Sequence, residues 1–342
     1  MAPSTDSPQK LAVPERGAYT GAYIDFGETE GDVTLEAIEK FEQDAGKHQA
    51  IVAFSSYWGE NHFPAEAMDI VLAHDSVPLV FWSPWDYPYK EAVVQANGPD
   101  KFRLDSILAG QWNDYIDQWA EGAKQRRKPF FVSLCNEMNG DWFPWSARFY
   151  GAGKPIPGTD PVQYEGPELF KRAYRYIVDR VRARGATNIL WVFHVNNYSE
   201  PYIGWNSFKE FYPGPGYVDW LGLSVYGQLF PSSKWDLFPD MIDKPYEELS
   251  AVATDKPMMV TEWGVGEFPS NGNKAEWITH AFGLMQRKYP RVKAAIYWHE
   301  RWQNAGTLLY SNLKIDSSPE ALAAYRAGVA NPFWLDHAIY AH

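Results

Sequence analysis

Eight short runs of β-branched and aromatic residues alternate with longer stretches of mixed charge and helical periodicity. That alternation constrains this chain more than anything else in it. The runs fall at 18–27, 50–57, 79–85, 130–137, 188–196, 220–226, 257–262 and 294–299. Helical stretches lie between most of them, the clearest at 35–46, 65–74, 104–127, 168–184, 246–254, 274–288 and 318–327. Gly46 and Gly185 stand where helix C-caps would fall. Strand and helix alternating eight times predicts an α/β fold, a (β/α)8 TIM barrel of parallel strands. A doubly wound sheet is the rival, but GAYIDFGE in the first run lacks the GxGxxG spacing of a phosphate-binding turn.

No linker divides the 342 residues, so a single domain is expected. Residues 1–16 read as a flexible N-terminal segment, 17–330 as the barrel and 331–342 as a C-terminal tail. A formal charge of −12 argues against a nucleic-acid partner, which would want a basic face. No apolar window is long enough to cross a bilayer, and Met1–Arg16 lacks the apolar core of a signal peptide. The single cysteine, Cys135, excludes an internal disulfide. The eight histidines show neither HxH nor four-apart spacing, so no metal is expected. GVGEFPSNGNK after the seventh run has glycines suited to a phosphate, but Glu267 would repel one, so no cofactor is expected either.

Two runs end on glutamate beside tryptophan: FFVSLCNEMNGDWFPW holds Glu137 and KPMMVTEWG holds Glu262. In a parallel barrel the strand ends converge on one mouth, so these carboxylates, 125 positions apart (262 − 137), can face each other there. A facing carboxylate pair flanked by indoles is what glycosidic bond cleavage requires. Separation of about 5–5.5 Å gives retention, and about 6.5–9.5 Å inversion. Sixteen Trp and 21 Tyr are many for this length, and flat rings with a polar edge stack well on sugars. Trp58, Trp82, Trp85 and Trp302 are cleft candidates, with core packing the competing reading. His194 and Asn196, near the end of the fifth run, face the mouth in one of two registers; Asp86 and His62 lie on mouth-side loops. Glu267 reads as a solvated loop residue, and Glu300 is a third acid near the mouth without an evident role. Long loops at 151–166 and 228–244 could wall the cleft, the second carrying Phe230, Trp235 and Phe238 as selectors of substrate.

NEMNGDWFPW resembles the HEMNG-W-x-W motif of glycoside hydrolase family 26, a group of β-mannanases, mixed-linkage glucanases and β-1,3-xylanases. SSYWGENHFP, DSILAGQWNDYIDQWAEGAK, VDWLGLSVYGQ and KPMMVTEWG resemble further family segments in the same order. The resemblance implies a retaining hydrolase with Glu137 as acid/base, Glu262 as nucleophile and Tyr226 bonded to the nucleophile. It implies Trp142 near the leaving-group sugar and Trp298 as the platform under the sugar being cleaved. The chain departs from the motif at Asn136, where the family has His. Asn–Glu is the pair of the wider clan of retaining barrels, where the amide bonds the sugar 2-OH. β-1,4-Mannan is the first substrate expectation, with β-1,3(1,4)-glucan, β-1,3-xylan or a non-catalytic sugar-binding barrel as alternatives. The expected partner is a polysaccharide or oligosaccharide, with no nucleic acid and no membrane. Secretion is expected from the size of such substrates, with a cytoplasmic location left open.

Overall fold

The computed structural model describes residues 9–27, 30–86, 101–304 and 307–341, so residues 1–8 of the expected flexible segment lie outside it. All eight expected strands are present: β1 (Ala18–Ile24), β2 (Ile51–Tyr57), β3 (Val77–Ser83), β4 (Phe130–Leu134), β5 (Ile189–Asn196), β6 (Trp220–Tyr226), β7 (Met258–Gly264) and β8 (Val292–His299). Each pairs in parallel with the next, and β8 pairs with β1 from Tyr19↔Ala294 to Ile24↔His299, which closes the (β/α)8 barrel. Alternate residues divide between two cores. Tyr19, Leu79, Phe81, Phe131, Val192, Trp220, Met259 and Ile296 fill the interior, while their neighbours pack outward against the helices. Strands covered on both faces read as continuous apolar runs, which is why they stand out in the sequence.

The outer layer is α1 (Leu35–Ala45), α2 (Ala65–Ala73), α3 (Asn113–Arg126), α4 (Glu165–Ala183), α5 (Phe208–Phe211), α6 (Phe238–Val252), α7 (Lys274–Arg287) and α8 (Pro319–Val329). Thr34 caps α1 by accepting the Ala37 N–H, and Gly46 at φ 73° ends it. The expected helix over 104–127 is broken into Leu104–Leu108 and α3, with Gly110 at φ +81° between them. Helix α6 starts eight residues before the expected 246, because Pro245 does not begin it but sits inside. A proline leaves the carbonyl four residues earlier without its donor. Here that carbonyl, on Met241, accepts from Asn197 Nδ2 at 3.1 Å, so the helix continues through.

Parts of the expected lead-in and tail are tied to the barrel. Lys10–Leu11 pairs antiparallel with Tyr340–Ala341, and Trp334–Leu335 runs parallel to β1. Tyr19 fixes both ends, since its hydroxyl donates to Ala12 O at 2.9 Å and accepts the Ile339 N–H at 3.1 Å. Among the described residues no helix is long and apolar enough to cross a membrane.

Candidate active site

Strand β4 stops at Leu134, three residues short of the expected end, because Cys135 and Glu137 both adopt left-handed backbone at φ 52°. Such a conformation costs a non-glycine residue about 1–3 kcal/mol and persists only where the surroundings over-determine it. They do. The Glu137 N–H donates to His194 O at 2.8 Å, and Trp145 Nε1 donates to Asn136 O at 2.7 Å. Asn139, fully buried, accepts the Asn196 N–H at 2.8 Å and donates to the Asn196 and Tyr198 carbonyls at 3.0 Å each. The turn carries Glu137 off the strand end toward Glu262.

Glu262 arrives by a different device. Val260 lies opposite Leu223 but Glu262 lies opposite Ser224, so β7 has one extra residue here against β6. Counting alternately from the interior Met259 would place residue 262 outward; instead Trp263 packs in the outer core and Glu262 turns inward. A carboxylate oxygen of Glu137 then lies within 4.8 Å of one on Glu262. Both side chains are nearly buried, and each has its own donor. Tyr226 OH donates to Glu262 Oε2 at 2.7 Å, and Trp142 Nε1 donates to Glu137 Oε2 at 2.9 Å. Burial first and the Glu137 charge second push the Glu262 carboxyl well above its ordinary range, while the Tyr226 bond pulls it back. Two carboxyls this close ionise in succession, so the pair holds one proton over a broad pH span. Burial and the Glu262 charge push the Tyr226 hydroxyl far up, so it stays a donor.

His194 does not reach the cleft. It is fully buried below Glu262, with Nδ1 2.9 Å from Ser133 Oγ and Nε2 2.8 Å from Ser224 Oγ. Burial pushes its pKa down to about 3, so the ring is neutral, donating to one hydroxyl and accepting from the other. The inward register was right, but the depth rules out a sugar contact. With both nitrogens occupied, His194 has no lone pair to spare, although it stands with Glu137 and Glu262 at metal-ligand distances.

Trp298 and Trp142 are half-buried at the mouth. Trp298 stacks on Tyr23 at 3.8 Å, and its Nε1 donates to Glu300 Oε2 at 2.7 Å. Glu300 therefore holds the Trp298 ring in place, and burial pushes its carboxyl up to about 8. Trp142 meets the exposed Tyr198 edge-on at 6.2 Å, and Asn136 sits beside Glu137 in the left-handed turn. The other candidates make contacts of their own within the fold. Trp58 is buried among Trp82, Phe102, Trp112 and Tyr115, and Trp82 stacks on Trp119. Trp85 is 6% exposed and packs against Phe143 and Trp145. Asn196 spends its amide on Tyr198 O and braces the loop. Asp86 pairs with Lys101, and His62 is exposed beside the Phe63 carbonyl. Phe238 is core, in contact with Trp277 and Tyr289, and Trp235 lies over Gly272. Glu267 is no solvated residue, since it accepts from Ser317 Oγ at 2.7 Å and Ser318 Oγ at 3.1 Å. Phe230 and Trp302 meet edge-on at 6.3 Å.

Sequence reasoning passed over Asn139, Gly140, Tyr198 and Tyr23. Asn139 and Gly140 stand inside the NEMNG motif, so the signal was available for those two. A Cβ on Gly140 would lie 2.4 Å from Trp142 Cζ2, so only glycine lets the indole fold back to Glu137.

A closed barrel of eight parallel strands, with a buried carboxylate pair and aromatic rings at one mouth, is the architecture of a carbohydrate-active α/β barrel. The sequence model described as glycosyl hydrolase family 26 matches residues 85–269, more than half of the chain. This chain belongs to that family. It is 30% identical to Endoglucanase H of Acetivibrio thermocellus over 95% of its own length and 32% of the relative's. It is 26% identical to a mannan endo-1,4-beta-mannosidase of Bacillus subtilis over 59% of this chain and 49% of that one. The chain thus spans about a third to a half of the length of these relatives. Its fold matches the solved structure of GH26A from Muricauda sp. with TM-score 0.62 at 20% identity, covering 93% of this chain and 91% of that one.

Proposed function

We propose that this chain hydrolyses internal β-linkages of a polysaccharide with net retention, through a glycosyl-enzyme on Glu262. The observation that carries the reading is the carboxylate pair within 4.8 Å, each member served by a different donor. That gap suits direct attack and leaves no room for a water between carboxyl and sugar. In the first step Glu137 gives its proton to the glycosidic oxygen as the C1–O bond breaks, and a Glu262 oxygen bonds to C1. Trp142 then stabilises the carboxylate left on Glu137. In the second step that carboxylate takes a proton from water, whose oxygen attacks C1 and releases Glu262. Tyr226 holds one Glu262 oxygen so that the other faces the anomeric carbon. Trp298, clamped by Tyr23 and Glu300, is the platform under that sugar, and Asn136 is assigned to its 2-OH on the family resemblance. No cofactor is required by these steps.

For the backbone sugar we favour β-glucan over the mannan expected from the sequence. The match that spans nearly the whole chain is to an endoglucanase, and Asn136 replaces the family's His. Mannan is the second reading, supported by the mannosidase relatives at lower identity and coverage. Substrates of this size place the enzyme outside the cell. Reducing-end assays on lichenan, cellulose derivatives, mannan, laminarin and xylan test the choice, with NMR of the first product anomer testing retention. Glu137→Ala and Glu262→Ala should fold and retain only trace activity; azide should rescue the first by forming a β-glycosyl azide. Near-normal turnover by either variant, or an inverted product, would overturn the mechanism.

A further inference from the structure

At the N-terminal end of the strands, far from the carboxylate pair, three residues distant in sequence converge. Glu42 comes from the last turn of α1, His48 from the loop into β2, and His74 from the C-terminus of α2. One donor atom of each lies within 4.8 Å of the other two. Glu42 is the centre, with Oε1 3.0 Å from His48 Nδ1 and Oε2 3.1 Å from His74 Nε2. All three side chains are mostly buried, between 14% and 18% exposed. The loops that present them are fastened. Glu42 Oε1 accepts the Gln49 N–H at 2.7 Å, Ser76 Oγ donates to Gln49 O at 2.7 Å, and the Val77 N–H donates to Ala50 O at 2.8 Å. His337, from the C-terminal segment, stacks on His48 at 4.5 Å and carries Asp336 beside it.

A simple ion-pair cluster leaves one fact unexplained. His74 Nε2 is buried and has no hydrogen-bond partner, although a carboxylate oxygen stands 3.1 Å away. A cation seated between that nitrogen and that oxygen would take a lone pair from each, with His48 Nδ1 also within reach. We propose that this position is a binding site for a divalent transition-metal cation, with Glu42, His48 and His74 as ligands. Two imidazoles and one carboxylate make a borderline donor set that suits Zn2+ and disfavours the hard ions Mg2+ and Ca2+. Three protein donors leave a fourth tetrahedral position to water. The bound ion staples α1, the loop into β2 and the end of α2 beside the paired chain ends, at the opposite rim from the chemistry. Its role is structural, and it is independent of the function proposed above. The expectation of no metal rested on short sequence spacings, which cannot register ligands brought together by the barrel.

The test uses the whole chain after EDTA treatment and dialysis. Titration calorimetry with Zn2+ should give one equivalent at micromolar or tighter dissociation constant. Thermal unfolding should shift upward with Zn2+ and not with Mg2+, while turnover on the best glycan stays unchanged. Co2+ should give the visible absorption of a tetrahedral nitrogen–oxygen site. His48→Ala and His74→Ala should each weaken Zn2+ binding at least tenfold. Should either variant fail to fold, carbethoxylation of the wild-type chain read by mass spectrometry decides, with Zn2+ shielding His48 and His74 over His280. Absence of Zn2+ binding, unaltered affinity in both histidine variants, or no shielding would overturn the proposal.

Discussion

Gly140→Ala isolates what Trp142 does for Glu137. The added Cβ would sit 2.4, 2.5 and 2.6 Å from Cζ2, Cε2 and Cη2 of the indole. Ordinary carbon contacts are about 3.5–4.0 Å, so the ring has to retreat by roughly 1 Å or more. The Trp142–Glu137 bond, now 2.9 Å, then stretches beyond hydrogen-bonding range. The φ of residue 140 lies outside the left-handed region, so alanine strains no backbone and the fold should survive. A hydrogen bond to a charged group contributes about 1.5–3 kcal/mol. The proposed role has Glu137 ionised once its proton has been given up, so the loss falls on the transition state. The expected fall in kcat/KM is on the order of 10- to 100-fold. Removing a donor to the ionised form also favours the protonated one, so the alkaline limb of the pH profile should move to higher pH. Trp142→Phe, which keeps a ring but drops the N–H, should behave in the same way. Initial rates against pH on the best substrate read all three effects. Wild-type kcat/KM in both variants, with an unmoved alkaline limb, would refute the reasoning.

Three further outcomes follow from the same geometry. Tyr226→Phe deletes the 2.7 Å bond to Glu262 and should lower kcat/KM on the order of tenfold or more with an unchanged circular dichroism spectrum; a silent variant would remove Tyr226 from the site. Glu300 ionises at 4.5 ordinarily and at about 8 here, so the folded state is penalised increasingly from pH 4.5 and fully above pH 8, by up to roughly 5 kcal/mol. Urea denaturation should therefore find Glu300→Gln more stable than wild type at about pH 9 and no more stable near pH 4; a gain at low pH instead would reverse the sign and sink the argument. Lys274, buried, donates to Asn312 O, Lys314 O and Ser317 Oγ at 3.0, 2.8 and 2.8 Å, so Lys274→Met should cost about 1.5–3 kcal/mol by removing these charged-donor bonds, although each acceptor keeps a second partner. Equal urea midpoints would show that the three lysine bonds add no net stability.

The eight strands were legible because burial on both faces leaves an apolar run that no loop imitates. Glu137 and Glu262 were legible because a carboxylate closing such a run has no place in a core. What the sequence hides is the sign of φ and the depth of a side chain. The run through 130–137 looks continuous, yet Cys135 and Glu137 turn left-handed, and nothing in their side chains announces it. His194 points inward as its register allows, but one layer below the mouth, where hydroxyls of Ser133 and Ser224 replace sugar. Trp58 and Trp85 stand beside polar residues in sequence while their rings fold back into the outer core. The expected helix at 246–254 omits the first turns of α6, which run through Pro245; the free carbonyl there is met by Asn197, from a loop 48 positions earlier (245 − 197).

The two carboxyls stand on unlike supports, and the difference bears on their proposed roles. Glu262 lies within β7, turned inward by the extra residue, with neutral His194 under it and Tyr226 bonded to it. Without that residue the strict alternation of a strand would point position 262 at the helices. A group so held has little freedom to move, which suits attack along one line. Glu137 hangs beyond the end of β4 on a strained turn, and its partner Trp142 is half open to the cleft. A proton donor that also accepts from incoming water needs that access to the outer side. Exchanging the residues' identities would leave two carboxyls in place, but exchanging their supports would leave the nucleophile loose and the acid walled in. Asymmetry of backbone, more than of side chain, therefore separates the proposed nucleophile from the proposed acid/base in this barrel.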